Sequence, residues 1–166
     1  MSGPVSAQEV AQARTHGLPS PLTQAQSSAL ALSRSFLFVP GNRPERFAKA
    51  LASGADAVII DLEDAVPLDA KDAARTALFS AWSGFDAAER ARLLVRVNPA
   101  GTPWHEADLA ALGGLLELGA LMLPKAENPQ QVEHAFMASG VPVLPLIESA
   151  EGLGQLDAIA RAQGVL

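Results

Sequence analysis

From Arg34 onward, short runs of consecutive apolar residues alternate with stretches of helical periodicity, and this rhythm narrows the possible folds more than any other feature. The runs cover 35–39 (SFLFV), 56–62 (DAVIIDL), 93–97 (LLVRV), 120–123 (ALML) and 142–147 (PVLPLI), and Val165-Leu166 opens a sixth. Strands that are apolar throughout, rather than at every second position, belong to a parallel sheet buried on both faces. Helices are predicted between them over about 44–53, 69–82, 104–117, 128–138 and 151–162. Pro44 suits a first helical turn, and Gly54, Gly119, Gly140 and Gly164 punctuate the turns back to strand. The helix over 69–82 is expected to turn Lys71, Asp72 and Arg75 to solvent.

Two architectures share this rhythm: a doubly wound open sheet and a (β/α)8 barrel. No G-x-G-x-x-G or G-x-x-x-x-G-K-[ST] loop follows the first run, so the nucleotide-binding open sheets lose support. Residues 1–33, rich in Ser, Ala, Gln and Pro, read as a flexible N-terminal extension ahead of a domain spanning 34–166. A net charge of −6 without a basic stripe argues against a nucleic-acid partner. The absence of cysteine excludes disulfides and thiolate chemistry. No apolar run approaches the roughly 18–20 residues that span a bilayer. The N-terminus lacks a basic segment followed by an apolar one, so a cytoplasmic location is expected.

Charged residues follow the apolar runs directly, where a parallel α/β protein keeps its chemistry. Asp61, Glu63 and Asp64 crowd three carboxylates into four positions. Their repulsion could raise one pKa for acid–base work, or one could cap a helix while another pairs with a cation. Arg96 lies inside an apolar strand, where an unpaired charge is too costly. Its partner is either an internal carboxylate, Asp61 or Glu63, or the carboxylate of a substrate. Lys125 could hold an anion or pair with Glu127 or Glu148, and nothing specific supports a Schiff base. Glu148 is either a ligand for a hard cation such as Mg²⁺ or a helix-terminal carboxylate stabilised by the macrodipole. Arg43, Arg46 and Lys49 offer cations to a phosphate-bearing ligand or simply a solvated helix face. His105 and His134 show no metal-ligand spacing and are expected at the surface, while Trp82 and Trp104 are expected to pack.

The strings RSFLFVPGN (34–42), DAVIIDLEDAVP (56–67), LVRVNPAGTPWHEADL (94–109), LMLPKAEN (121–128) and LPLIESAEGL (144–153), with Lys71 and Ala74-Arg75 among them, resemble the citrate lyase β-subunit-like branch of the HpcH/HpaI aldolase superfamily. No single string is decisive, but five in order and at family-like spacing are highly specific. The resemblance implies a (β/α)8 TIM barrel, here the first five βα units plus the start of strand six. It implies a Mg²⁺-dependent carbon–carbon lyase that cleaves or forms 3-hydroxy-acyl thioesters such as malyl-, citramalyl- or citryl-CoA. The partners would be an acyl-CoA or acyl-carrier thioester and a small keto acid, in a homotrimer or homohexamer at full length.

By the same resemblance, Arg96 binds the substrate carboxylate and Glu148 is the first Mg²⁺ ligand and also contacts substrate. Glu63 and Asp64 belong to the catalytic acidic motif, supported by Asp61, Asn98 and Lys125. Phe38, Arg46 and Lys49 lie near the CoA groove. The second Mg²⁺ carboxylate is expected beyond Leu166, so the 166-residue chain is expected to be an N-terminal portion that is inactive alone. Two other functions fit the same strings. One is an aldolase acting on free 2-keto acids, disfavoured because such enzymes usually carry histidine where this chain has Asp64. The other is a non-catalytic, regulatory half-barrel.

Overall fold

The computed structural model of the chain describes residues 30–166, so the expected extension falls almost wholly outside the described residues. The first described side chain, Leu30, is buried under the sheet beside Gly119. The packed part thus includes a residue four positions ahead of Arg34. Five strands follow, β1 (Phe36–Pro40), β2 (Ala57–Asp61), β3 (Leu93–Arg96), β4 (Ala120–Leu123) and β5 (Val143–Pro145). All pair in parallel, in the unbroken order β1-β2-β3-β4-β5. Val165 adds a parallel bridge to Val143, where a sixth strand was expected to open.

The strand order and the sidedness of the helices distinguish the two candidate architectures. A doubly wound sheet reverses direction at a switch point and carries helices on both faces. Here the order never reverses, and the larger core packs helix residues against one face of the sheet. Phe47, Leu78, Leu109, Leu112, Val132 and Ile159 pack there on Val58, Ile60, Val95, Leu121, Leu123 and Val143. The opposite face carries a smaller cluster of Leu30, Ala57, Ile59, Leu94, Ala120 and Met122. Alternate residues of each strand thus serve the helix layer and an interior, as they do in a (β/α)8 barrel. The sheet is a five-stranded arc of that barrel.

The helices that cover the arc are α1 (Phe47–Leu51), entered through a 3-10 turn at Pro44–Arg46, α2 (Lys71–Trp82), α3 (Ala87–Ala91), α4 (His105–Leu112), α5 (Pro129–Ser139), α6 (Ala150–Gly154) and α7 (Leu156–Ala160). No helix among the described residues is long and apolar enough to cross a membrane. α3 has no counterpart in the sequence expectation. It is set by a capping box in which Asp86 accepts from the Glu89 N–H and Glu89 accepts from the Asp86 N–H. α5 starts at the Asn128 cap and ends on Gly140 at φ 69°, a left-handed position that suits glycine.

Several expectations need correction. β1 is not a buried strand: Phe36, Leu37 and Phe38 are exposed, because its outer edge has no neighbour among the described residues. The helix expected over 151–162 breaks at Gln155 into α6 and α7, and that over 104–117 stops at Leu112 before Gly113-Gly114. Lys71 is not solvated but buried, and Arg75 is largely covered. His105 is buried as well, whereas His134 is exposed as expected. Trp82 packs in the core, and its indole N–H donates to the Leu116 carbonyl at 3.1 Å.

Candidate active site

The C-terminal ends of β2 to β5 bring together six of the residues singled out in the sequence: Asp61, Glu63, Asp64, Arg96, Lys125 and Glu148. Asp61 and Arg96 are register partners on adjacent strands, so their side chains leave the sheet on the same face. Asp61 is 1% exposed and uses both oxygens fully. Oδ1 accepts from the Glu63 N–H at 2.8 Å and Arg96 Nε at 2.8 Å. Oδ2 accepts from the Ala65 N–H at 2.9 Å and Arg96 Nη2 at 2.6 Å. The first partner left open for Arg96 is therefore Asp61, in a side-on, two-bond pair. Its hydrogen bond to Asp61 is the main reason the Arg96 pKa is raised, with burial opposing and the charges of Glu63 and Asp64 assisting.

Two further carboxylates meet the outer edge of the same guanidinium. Glu63 Oε2 lies 3.1 Å from Arg96 Nη1, and Asp64 Oδ2 lies 3.6 Å from it. Glu63 is buried, whereas the Asp64 side chain is 73% exposed. The Phe38 ring, in the middle of β1, lies 4.9 Å from the guanidinium carbon and shields its face. Arg96 is thus clamped by Asp61, backed by Phe38, and paired through Nη1 with Glu63 and the exposed Asp64.

Lys125 follows β4 and joins the two sides of the site. Its Nζ donates to Glu63 Oε1 at 2.5 Å, a bond that raises its pKa. Its backbone N–H donates to Glu148 Oε1 at 2.9 Å. To serve both, Lys125 adopts φ 51°, a left-handed conformation uncommon for a residue with a side chain. Glu148 is exposed, and its second oxygen has no hydrogen bond among the described residues. Ser149 caps α6 directly after it, accepting from the Gly152 N–H at 3.1 Å. A Cβ at position 152 would collide with the Ala126 carbonyl, so glycine lets α6 close against the turn that carries Lys125.

A buried polar layer that the sequence expectation missed supports these groups. Lys71 Nζ donates to the carbonyls of Leu62 and Glu63 at 2.8 and 2.6 Å, which fixes the turn that carries the acidic cluster. Burial lowers the Lys71 pKa, while the charges of Asp61, Asp108, Glu63 and Asp64 pull it back. The Trp104 ring lies 5.7 Å from the same ammonium. Asp108 accepts from the N–H and Nδ2 of Asn98 at 2.9 and 2.7 Å and from Arg75 Nε at 2.9 Å. Asn98 is therefore committed to α4. These residues carried a signal in their phase. Lys71 falls in line with Ala74, Leu78 and Trp82, and Asp108 with His105, Leu109 and Leu112, on the buried stripes of α2 and α4.

Phe38, Arg46 and Lys49 also come together, lining a cleft of about 460 Å³ with Leu37, Pro40 and Ser53. The cleft runs along the unpaired edge of β1. Arg43, by contrast, pairs among the described residues with Glu45 at 3.9 Å on the surface.

Residues 34–166 match the family described as HpcH/HpaI aldolase/citrate lyase. The chain belongs to this family. Among its relatives, a citrate lyase subunit beta-like protein of Mycobacterium tuberculosis (strain H37Rv) is 43% identical over 127 residues, covering 76% of this chain and 43% of the relative. A (3S)-malyl-CoA thioesterase of Cereibacter sphaeroides is 39% identical over 137 residues, covering 80% of this chain and 47% of the relative. The crystal structure of CitE from Mycobacterium tuberculosis in complex with magnesium, acetoacetate and coenzyme A superposes with a TM-score of 0.69 at 41% identity, covering 82% of this chain and 48% of that one. The chain thus spans slightly less than half the length of these HpcH/HpaI relatives.

Proposed function

We propose that this sequence forms the carboxylate-binding part of a Mg²⁺-dependent lyase that cleaves or forms the carbon–carbon bond of a 3-hydroxy-acyl thioester. The observation that carries the proposal is Arg96 at the end of β3, held side-on by buried Asp61 at 2.8 and 2.6 Å. An arginine fixed in this way is preorganised for a second carboxylate, that of a small keto acid. The CitE complexes with magnesium and pyruvate, and with magnesium, acetoacetate and coenzyme A, support the choice of ligands.

The donor set fits Mg²⁺. Asp61 and Glu63 are consumed by cations, whereas Glu148 keeps one oxygen free beside the site. Mg²⁺ takes one or two protein carboxylates and fills its shell with water and substrate oxygens. Glu148 would hold it. When bound, the ion supplies Lewis-acid stabilisation of the oxygens of the keto acid.

The residues of the chain divide the remaining work. Arg96 binds the substrate carboxylate and sets its orientation, and the Phe38 ring keeps water from one face of the guanidinium. Glu63, buried between Arg96 and Lys125, positions both cations rather than moving a proton. Asp64 is the exposed carboxylate of the cluster, open to a ligand hydroxyl. In cleavage, the substrate hydroxyl loses its proton to a base and the carbinol carbon becomes the carbonyl of the 2-oxo acid. The electrons of the broken carbon–carbon bond pass to the thioester α-carbon, which takes up a proton as the acyl thioester. Arg46 and Lys49, beside the cleft of about 460 Å³, provide cations for the phosphates of CoA. A cytoplasmic homotrimer or homohexamer belongs to the same proposal.

The test incubates the complete gene product containing this sequence, and the 166-residue chain beside it, with Mg²⁺ and malyl- or citramalyl-CoA. Keto acid and free thiol are measured separately. The expected result is keto acid from the complete product, none from the 166-residue chain, and a loss of about 100-fold or more on Arg96→Met. Free thiol without keto acid would instead establish thioester hydrolysis. Equal turnover of the free hydroxy acid would establish an aldolase that does not need CoA.

A further inference from the structure

On the helix side of the sheet, His105 and Glu106 open α4 and His134 lies within α5. One donor atom from each lies within 4.8 Å of the other two. The group is neither part of the site at the strand ends nor needed by the chemistry proposed there.

His105 decides what the group can do. It is 3% exposed, and its Nδ1 lies 2.7 Å from the carbonyl oxygen of Asn98. A carbonyl can only accept, so the proton of the neutral ring resides on Nδ1. That leaves Nε2 as a lone pair, and it has no hydrogen-bond partner among the described residues. A ring whose far nitrogen is pinned to a backbone carbonyl is the arrangement that orients a histidine for a metal. The other two groups are already in contact on the solvent side. His134 Nε2 lies 2.9 and 3.2 Å from the two carboxylate oxygens of Glu106. The two imidazoles lie 6.3 Å apart, inclined by 31°.

We propose that His105, Glu106 and His134 form a site for one borderline divalent cation, Zn²⁺ by preference, which clamps α4 to α5. Two imidazoles and one carboxylate suit Zn²⁺ far better than Mg²⁺, which favours oxygen ligands, so the site is chemically distinct from the strand ends. Tetrahedral Zn²⁺ with bonds of about 2.0–2.1 Å needs donors roughly 3.4 Å apart. The exposed side chains of His134 and Glu106 close that gap by rotation, while His105 stays fixed. Water completes the shell. The competing account is a surface His–Glu pair above a merely structural histidine. It gives the Nε2 lone pair of His105 no purpose.

The test titrates Zn²⁺ into tag-free protein in millimolar Mg²⁺, which occupies carboxylate-only sites, and follows heat release and melting temperature. Co²⁺ is added in parallel and read by visible absorption. The expected result is one Zn²⁺ per chain, nitrogen-ligated tetrahedral Co²⁺ bands and a higher melting temperature with Zn²⁺. His134→Ala and Glu106→Gln alter exposed side chains, so circular dichroism should show them folded. Each should weaken Zn²⁺ binding by about 10-fold or more, and His16→Ala should leave it unchanged. No binding at about 100 μM Zn²⁺ overturns the proposal. So does binding of equal affinity in the His134→Ala variant, or loss of binding in His16→Ala.

Discussion

Asp61→Asn tests the claim that Arg96 is held by a buried carboxylate rather than by its neighbours in general. The substitution keeps the volume, so no cavity contributes. It removes one acceptor oxygen from a side chain that now accepts four hydrogen bonds, two from Arg96 at 2.8 and 2.6 Å and two from the N–H groups of Glu63 and Ala65. The new amide nitrogen must face donors whichever way it turns, so one bond from Arg96 and one from the turn are lost together. Hydrogen bonds to charged groups contribute about 1.5–3 kcal/mol each. Breaking a buried ion pair from one side costs about 3–5 kcal/mol. Glu63 and Asp64 stay near Arg96 Nη1 and soften the loss, which places the expected change at about 3 kcal/mol. In urea with a slope of about 2 kcal/mol/M, this moves the unfolding midpoint down by about 1.5 M. Asp61→Asn combined with Arg96→Met removes the stranded charge as well, so it should lose less stability than Asp61→Asn alone. A single-variant shift below about 0.5 M would refute the reasoning. So would a double variant less stable than the single one.

Lys71→Met should destabilise the protein by about 2 kcal/mol in the same assay, because the carbonyls of Leu62 and Glu63 lose a buried donor while the cost of burying the ammonium disappears. The folded pKa of Lys71 lies below 10.5, so the unfolded chain binds more protons between the two values and wild-type stability rises with pH in that window. The Met variant should lack the rise, and an identical alkaline profile would contradict the assignment. Asp56 has the opposite sense. The N–H groups of Arg34 and Ser35 and the Ser35 hydroxyl depress its pKa below 3.8. Its contribution is therefore present above the unfolded pKa and is lost as pH falls through the folded one. Asp56→Asn should lower stability near neutral pH and flatten the acid limb of the melting-temperature profile; an unchanged acid limb would count against the anchoring of β1.

The strands and the strand-end charges were legible because both follow from local rules. An apolar run such as AVIID or ALML has one compatible environment, and a charge placed directly after it must leave the sheet at its end. The choice between barrel and open sheet was not legible in the rhythm. It depends on which faces the helices cover, and only the packing of Phe47, Leu78, Leu109 and Val132 on one side reveals that. The family strings carried it instead. Lys71 and His105 were misplaced because polar residues were assigned to solvent by type. Their phase on α2 and α4 puts them on the buried side, where a backbone carbonyl meets each. The exposure of β1 was hidden for a different reason. An edge strand and a central one have the same composition when the neighbour that would cover the edge is not among the described residues.

Lys125 divides two duties between two parts of one residue. Glu148 is held by a peptide N–H, which every residue except proline carries, whereas Glu63 is held by the ammonium, which needs lysine itself. The aim of Glu148 is therefore written in the path of the chain after β4 and survives any change of side chain that tolerates the left-handed turn. The grip on the acidic cluster is written in the side chain alone. Sequence drift at this one position can retune the β2 side of the site while the β5 side keeps its geometry.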